Sequence, residues 1–468
     1  MMEQNKDVII VGAGTAGTYL GWLLGKQGLK VLIIEKDKKE NVGKRLEVIH
    51  FETDRIEKAG LPPFIPGQPD CIEIRDTSQV VPPDLSCIIK IRALQTIVRL
   101  TPFLLKMYTM LESFNNVELQ FSCKFEQFLF DNGKIIGVIA NKSGEKKSYK
   151  AKLIIDASGT TAALRTVLPE NYGVETFKLG PNDVMYVLLQ YIRWLHPNNP
   201  HPEKDTSYIY WMVWLGPSNN DDEVILGVGQ PGSYENAKMA RNDFLDRIKL
   251  PPYEILKEEK GITPYRRPPY SLVGDNFLCI GDAAAITYPF SGHGVTATWI
   301  LCLIAAEVIE KIFKENKNFT KENLWKINER YFKDQGAKFA GLLVQLFGIL
   351  NFSEKEWNYF LKKGLIYKTS KKGALPEPNK EYEQSMTFGE MLKFLLKIIL
   401  GLIIRKLSLK NMKKLLYSNN LANEIKNHYE NYPSTPDEFT EWVSKAEDLW
   451  QKKLKATKYL RNGFIEYY

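Results

Sequence analysis

The hydrophobic pattern opens on Asp7–Val11 (DVIIV), followed at once by Gly12-Ala-Gly14-Thr-Ala16-Gly17. A short, unbroken apolar run of this kind predicts a parallel strand buried on both faces. An apolar helical stretch over Tyr19–Leu24 follows, then Gly28, then a second buried strand, Val31–Ile34, ending in Glu35. In such a strand–turn–helix–strand unit Gly12 permits the tight turn, Gly14 lets the backbone approach a pyrophosphate, and Gly17 lets helix and strand pack closely. The helix start, with Ala16 in its first turn, offers free N–H groups and partial positive charge to phosphates. Glu35 falls where a carboxylate accepts both hydroxyls of an adenosine ribose. The pattern predicts dinucleotide binding and does not separate FAD from NAD.

Further along, strands flanking the turn Asp131-Asn-Gly133 predict a hairpin, and a second turn falls at Asn141–Lys147. This antiparallel meander feeds a buried strand, Leu153–Ile155, that delivers Asp156, a small-residue turn through Gly159, and Arg165. A third segment, NFLCIGDAAAITYPFSGHGVT, places Gly281-Asp282 after a strand at Phe277–Ile280. Pro289, Gly292-His293-Gly294 and Val295 then lead into a helix running to Ile312. A carboxylate after a strand suits the ribityl chain of a flavin, and glycines at the next helix start let N–H groups face the isoalloxazine. The last two segments decide for FAD.

Between them, Tyr208–Trp214 (YIYWMVW) alternates as a strand that sends aromatics to one face, either lining an apolar channel or packing an ordinary core. Beyond Asn316 the chain is helical and lysine-rich. Phe339–Phe352 is strongly apolar, and in Met391–Ile404 the positions Lys393, Lys397, Gly401 and Arg405 make one narrow polar stripe. That apolar run falls short of the ~20 residues of a spanning helix. With Lys406, Lys410, Lys413 and Lys414 behind it, the helix suits either an anionic membrane interface or a buried cap over the substrate site. Gly373–Tyr382 reads as a linker, and the residues after Pro433 as a charged helix and tail.

Composition changes this picture little. With 468 residues, 44% hydrophobic and 25% charged, the chain predicts two or three subdomains rather than disorder. The net charge of +8 fits an anionic cofactor or membrane surface and names neither. Lysine runs such as Lys36–Lys39 and Lys371–Lys372 read as solvated faces. Five dispersed cysteines without a CxxC pair argue against a metal site and a disulfide framework. No basic–aromatic pattern argues for nucleic acid. The polar N-terminus lacks a signal-peptide pattern, so the expected location is cytoplasmic, or peripheral on the inner face of a membrane.

At the three glycine- and aspartate-bearing segments the sequence resembles the flavoproteins that include aromatic hydroxylases, flavin-dependent halogenases and geranylgeranyl reductases. The resemblance spans about the first two-thirds of the chain and implies FAD held by Gly12, Gly14, Ala16, Gly17, Glu35, Arg45, Asp156, Gly159, Gly281, Asp282, Pro289, Gly292, Gly294 and Val295. It also implies that Arg92, ahead of a helix expected from Ala93, approaches the flavin. Arg266–Asp282 (RRPPYSLVGDNFLCIGD) and the following PFSGHGV lean toward the reductase branch. So does Met212-Val-Trp214-Leu-Gly-Pro217, where Trp214 and Pro217 match an aromatic-x-Trp-x-Phe-Pro lipid-tunnel motif and Met212 and Gly216 depart from it. Tyr210, Met212, Trp214 and Pro217 are then the expected substrate contacts.

The implied reaction saturates C=C bonds of a geranylgeranyl or polyprenyl lipid by hydride transfer from reduced flavin N5. Where such reductases carry Cys-Gly-Glu/Asp, this chain has Arg45-Leu46-Glu47, which leaves Glu47, His50 and His293 as candidate acids. The alternatives are a monooxygenase or halogenase acting on an apolar substrate, and a non-catalytic flavin-binding membrane adaptor. Ferredoxin, free reduced flavin and NAD(P)H are open as electron donors. The expected fold is a Rossmann-like α/β FAD domain (1–50, 88–170, 260–315). An antiparallel substrate-binding sheet (51–87, 171–259) is interleaved with it, and a helical C-terminal region (316–468) follows.

Overall fold

The computed structural model describes residues 6–350, 352–367, 375–376 and 388–457, so the predicted linker lies almost wholly outside the described residues, as does the tail beyond Thr457. The chain begins β1 (Lys6–Val11), α1 (Thr15–Lys26), β2 (Val31–Ile34), β3 (Val48–Glu52), α2 (Thr53–Lys58), β4 (Cys71–Val81) and β5 (Ile89–Arg99). It continues α3 (Leu100–Glu112), β6 (Val117–Gln120), β7 (Cys123–Asp131), β8 (Lys134–Lys142), β9 (Glu145–Asp156), β10 (Val184–Trp194), β11 (Thr206–Tyr208) and β12 (Val213–Pro217). Next come β13 (Glu223–Pro231), α4 (Tyr234–Ile248), β14 (Tyr253–Pro264), β15 (Val273–Gly274), β16 (Phe277–Cys279) and α5 (Val295–Lys314). The helices α6 (Lys321–Tyr331), α7 (Ala337–Ile349), α8 (Glu354–Lys362), α9 (Phe388–Ile403), α10 (Leu409–Glu430) and α11 (Phe439–Thr457) complete it.

Among the described residues these strands form two eight-stranded sheets. The first has parallel neighbours in the order β16-β9-β1-β2-β6, with β1 central. Val8, Ile9 and Ile10 are wholly buried there, each worth about 2 kcal/mol of apolar burial. The predicted meander is β7–β8–β9: Asn132 and Gly133 both take positive φ in its first turn, as a type I′ hairpin requires. The long strand β9 pairs with β8 through its first half and with β1 and β16 through its second, which delivers Asp156 to the end of the parallel layer.

The second sheet runs β14-β10-β13-β12-β11-β4-β5-β3. It curls until its two edge strands meet through side chains. Tyr191 Oη donates to Glu259 Oε2 (2.9 Å) and accepts from Val48 N (3.2 Å), while Glu47 N donates to the same carboxylate oxygen at 3.1 Å. Its concave face buries Val48, Ile97, Tyr191 and Ile225 as a core of their own, with Trp214 packed against them.

This sheet takes segments the sequence assigned to the flavin domain. Residues 48–50, 89–99 and 260–264 are strands of the second sheet, because their pairing is set by partners far away in sequence. The expected single strand at Tyr208–Trp214 is instead a hairpin. Its strands are β11 and β12, and the turn between them carries Trp211 N→Tyr208 O and Met212 N→Ile209 O bonds, with Met212 at φ 54°. Its aromatics therefore split: Tyr208 and Trp211 pack on Phe244 of α4, while Trp214 turns to the concave side.

Candidate active site

The glycine loop after β1 is held from three directions. Gly12 sits at φ 114°, and a Cβ there would come within 2.2 Å of Ala157 O, so the loop closes tightly onto the end of β9. Tyr108 Oη donates to Ala13 O (2.9 Å), and Trp299 Nε1 of α5 donates to Thr15 O (3.2 Å). Glu35 accepts from Ala13 N (2.9 Å) and Asp37 N (3.0 Å), which fixes its carboxylate at the strand end with lone pairs to spare. No side chain caps the start of α1, and Gly14 faces open space there. Uncapped N–H groups beside open space make a cradle for a pyrophosphate.

The Gly281-Asp282 turn packs against this cradle: a Cβ on Gly281 would lie 3.1 Å from that of Ala16. Gly294, at the start of α5, closes over Asp282, since a Cβ there would stand 3.3 Å from Asp282 Oδ1. Burial pushes the Asp282 carboxyl up to about 6, with the positive charge of Arg45 opposing. Pro289 and Gly292 form the turn between, where Gly292 N donates to Tyr288 O (2.9 Å), and Val295 opens α5 without a side-chain cap. The first and third sequence segments thus meet around one space. Gly159 takes φ +73° in the neighbouring turn.

Asp156 holds that turn together. Its carboxylate accepts from Ser158 N and Oγ (3.0 and 2.6 Å), Leu164 N (3.1 Å) and Arg165 N (2.7 Å). Four internal donors saturate it, so it shapes the loop and does not reach toward a cofactor. Arg165, fully buried, continues the tie through Nε to Ala283 O (2.6 Å).

The flavin loop then faces the concave side of the second sheet, where a polar cluster is buried. His50 of β3 bonds Gln95 through Nδ1 (3.0 Å) and lies edge-on to Trp214 at 4.5 Å. Burial drives the His50 imidazole down to about 3, and His293 is also lowered by burial, with Glu52 opposing. Glu52 accepts from Thr296 Oγ1 (2.7 Å) and pairs with Arg55 (2.9 Å), anchoring the start of α5 to β3. Among the described residues, His50 Nε2, His293 Nδ1, Asp205 Oδ2, Arg75 Nε and Arg55 Nη1 are buried without a hydrogen-bond partner. Unpaired buried polar atoms are costly, and their convergence marks a place built for something else to bind.

Asp205 is the residue that sequence reasoning missed. It is 1% exposed and lies in the left-handed region at φ 62°. Its N–H donates to Leu215 O (2.6 Å), and its carbonyl accepts from Gln79 N and Ser78 Oγ (2.9 Å each). Oδ1 accepts from Trp214 Nε1 at 2.7 Å. Burial raises its carboxyl above the ordinary carboxylate value, with the Trp214 N–H and the Arg75 and His293 charges opposing. Strained backbone, pinned on both sides, holds an acid where water would not leave it. The only sequence signal is an aspartate just ahead of an aromatic strand.

Three expected residues lie elsewhere. Arg92 is an exposed residue in the middle of β5, with its N–H donated to Pro376 O (2.8 Å), and the helix begins only at Leu100, so no helix start brings it to the flavin. Glu47 is engaged by Lys257 and by Asn219 Nδ2 at the half-exposed rim where the sheet edges meet. An ion-paired carboxylate at a wet rim is a poor proton source. Arg45 is exposed, and it reaches the site through its charge on Asp282. Of the expected substrate contacts, Trp214 reaches the cluster and Tyr210 borders α8 and α9. Met212 forms the hairpin turn, and buried Pro217 ends β12. Gly216 explains its departure from the tunnel motif: the Trp214 ring folds back over it, and a Cβ would fall 1.8 Å from the indole.

Comparison with known proteins agrees with this geometry. Residues 5–195 match the family described as FAD binding domain. Digeranylgeranylglycerophospholipid reductase of Sulfolobus acidocaldarius is 23% identical over 466 residues, 96% of this chain and 98% of that one. A geranylgeranyl bacteriochlorophyll reductase-like protein of Thermoplasma acidophilum superposes with TM-score 0.68 at 15% identity, covering 84% of this chain and 96% of the other. Flavin-dependent brominase Bmp2 superposes at 0.58 and 16% identity, covering 96% and 100%. The uncapped cradle, the open space at Gly14 and the buried Asp282 fit FAD, which is the cofactor. The protein is an FAD-dependent oxidoreductase, similar in sequence to digeranylgeranylglycerophospholipid reductases and in fold to a geranylgeranyl reductase-like protein and a flavin-dependent brominase.

Proposed function

We propose that the protein saturates carbon–carbon double bonds of a polyprenyl lipid. The observation that carries this reading is the buried acid Asp205, held by Trp214 on the concave sheet opposite the flavin loop. The end-to-end likeness to a digeranylgeranylglycerophospholipid reductase supports the choice of substrate class. Bound and reduced, FAD supplies the hydride. An isolated alkene is a poor electrophile, so the chain's work is to position it, exclude water and deliver a proton to the second carbon. Asp205 holds that proton at Oδ2, in a site whose burial favours the neutral acid. Arg75 then balances the negative charge left on Asp205, and neutral His50 and the Trp214 indole wall the site off from water. Asp205 thus supplies the acid in a chain that carries Arg45-Leu46 where Cys-Gly was expected.

A second reading, monooxygenation or halogenation of an apolar substrate, has its own support in the Trp214–Pro217 spacing and in the brominase fold covering nearly the whole chain. Mass spectrometry separates the readings. Reduced holoenzyme incubated without oxygen with a geranylgeranylated phospholipid gives product heavier by two hydrogens per double bond. Unchanged lipid under those conditions, with oxygenated or brominated product in air and bromide, sinks the reductase reading. A flavin that neither lipid nor oxygen reoxidises in either experiment would identify an adaptor. The donor is read the same way, as whichever of ferredoxin, free reduced flavin or NAD(P)H bleaches the bound FAD.

A further inference from the structure

We infer that α9 and the start of α10 form a docking surface for an anionic lipid bilayer, on which the protein lies without spanning it. The helix α9 is mounted the opposite way from an ordinary amphipathic helix. The middle of its polar stripe faces the protein, while Lys393 and Arg405 at its ends are exposed: Lys397 Nζ donates to Lys363 O (2.6 Å), Tyr359 Oη donates to Lys397 O (2.6 Å), and Gly401 is buried against Leu407 and Tyr359. Phe394, Ile398 and Leu402 are only partly covered beside these contacts. The opposite side presents Met391, Leu392, Leu395, Leu396, Ile399, Leu400, Ile403 and Ile404 to the outside, with Leu396 57% and Ile403 71% exposed. Leu409, Leu416 and Tyr417 of α10 extend the same exposure. Scattered exposed leucines are ordinary, but a continuous helix face of them is a binding surface.

Charge identifies the occupant. From Met391 to Asn423 the sequence holds seven basic residues (Lys393, Lys397, Arg405, Lys406, Lys410, Lys413, Lys414) and no acidic one, close to the whole chain's net +8. Arg405, Lys406, Lys410 and Lys413 are exposed directly beyond the apolar face. An apolar helix face edged by cations is what an interfacial helix presents to acyl chains and anionic headgroups. A second copy docked symmetrically would bring two such cationic segments together, which like charge opposes. Among the described residues no single helix is long and apolar enough to cross a membrane. The inner side of α9 shares a core with Trp357 and Phe360 of α8, Val80 and Ile91 of the second sheet, and Tyr210 of the substrate hairpin. The bilayer-facing helix thus shares one apolar cluster with the sheet that carries the site.

Co-sedimentation of the full-chain holoprotein with vesicles tests this independently of turnover. Vesicles of phosphatidylcholine with about one-third phosphatidylglycerol should retain the protein, and salt should weaken binding. The triple substitution L396E/I399E/I403E, on exposed positions, should lower binding at least about tenfold. The quadruple R405Q/K406Q/K410Q/K413Q should lower it about fivefold per charge on anionic vesicles and little on neutral ones. The flavin absorbance of each variant reports that it is folded. Wild-type protein that ignores anionic vesicles, a triple variant that binds as wild type, or a wild-type dimer that the triple substitution converts to monomer would each overturn the inference. Should a variant lose its flavin, the salt dependence and anionic-lipid dependence of the wild-type protein decide alone.

Discussion

The two sheets treat their buried aspartates in opposite ways. Around the parallel sheet, Asp156 is saturated by four donors and Glu35 accepts two backbone N–H groups, while Arg165 ties three carbonyls through Nε and Nη1 and leaves Nη2 unpaired. In the curled sheet and the loop facing it, Asp205, His50, His293 and Arg75 each keep a buried atom unpaired. The first arrangement contributes stability and a fixed cradle; the second sets aside stability to leave groups poised. A residue that resembles a cofactor ligand in the sequence can therefore be a structural tie, as Asp156 is, while the chemistry resides in an unremarked aspartate.

The largest way to break this contrast is Asp205→Asn. The amide oxygen still accepts from Trp214 Nε1, but no proton can be released, so turnover should fall on the order of a hundredfold or more while FAD is retained. Steady-state rates with the flavin absorbance as a control check it, and unchanged turnover would move the proton source elsewhere. On the other side of the contrast, Asp282→Ala should weaken FAD retention at least about tenfold, read by flavin released on gel filtration. Asp156→Asn should instead lower thermal stability, because it disturbs a saturated turn.

Gly216→Ala sharpens the comparison within the curled sheet. The new methyl would displace the Trp214 ring, at a cost of about 1–3 kcal/mol of overpacking. Denaturant titration should show that loss, and indole fluorescence should shift while FAD affinity holds.

A further test is acid stability. Folded His50 titrates near 3 against an ordinary value of 6.5, so between those values the unfolded chain binds a proton that the folded chain does not. Stability attached to His50 is complete above about pH 6.5 and is lost as the pH falls toward about 3. His50→Gln should make the fall in Tm between about pH 7 and about pH 4 shallower. An identical slope would place the acid-sensitive group elsewhere.

Much of the parallel sheet was legible because its signals are local. Glycine spacing, unbroken apolar runs and the Asn132-Gly133 turn each determine their structure within a few residues. The curled sheet was not, since β3, β5 and β14 acquire their places only from long-range pairing, and that pairing moved Arg92 from an expected helix start to mid-strand. YIYWMVW read as one alternating strand because nothing in its composition announces a turn at Met212, a residue seldom found at positive φ. Asp205 sits in HPEKDTSY, which reads as a polar loop until the fold buries it. The apolar helix α9 was correctly expected, but which of its faces meets the protein is set by Tyr359 and Lys363, more than thirty residues upstream.

The most direct measurement is a single anaerobic turnover of reduced holoenzyme, following the return of the yellow oxidised flavin after mixing with a geranylgeranylated phospholipid. The colour should return without oxygen, in step with saturation of the lipid, and Asp205→Asn should slow it. A flavin that stays bleached until air is admitted, in wild type and variant alike, would contradict the reductase reading.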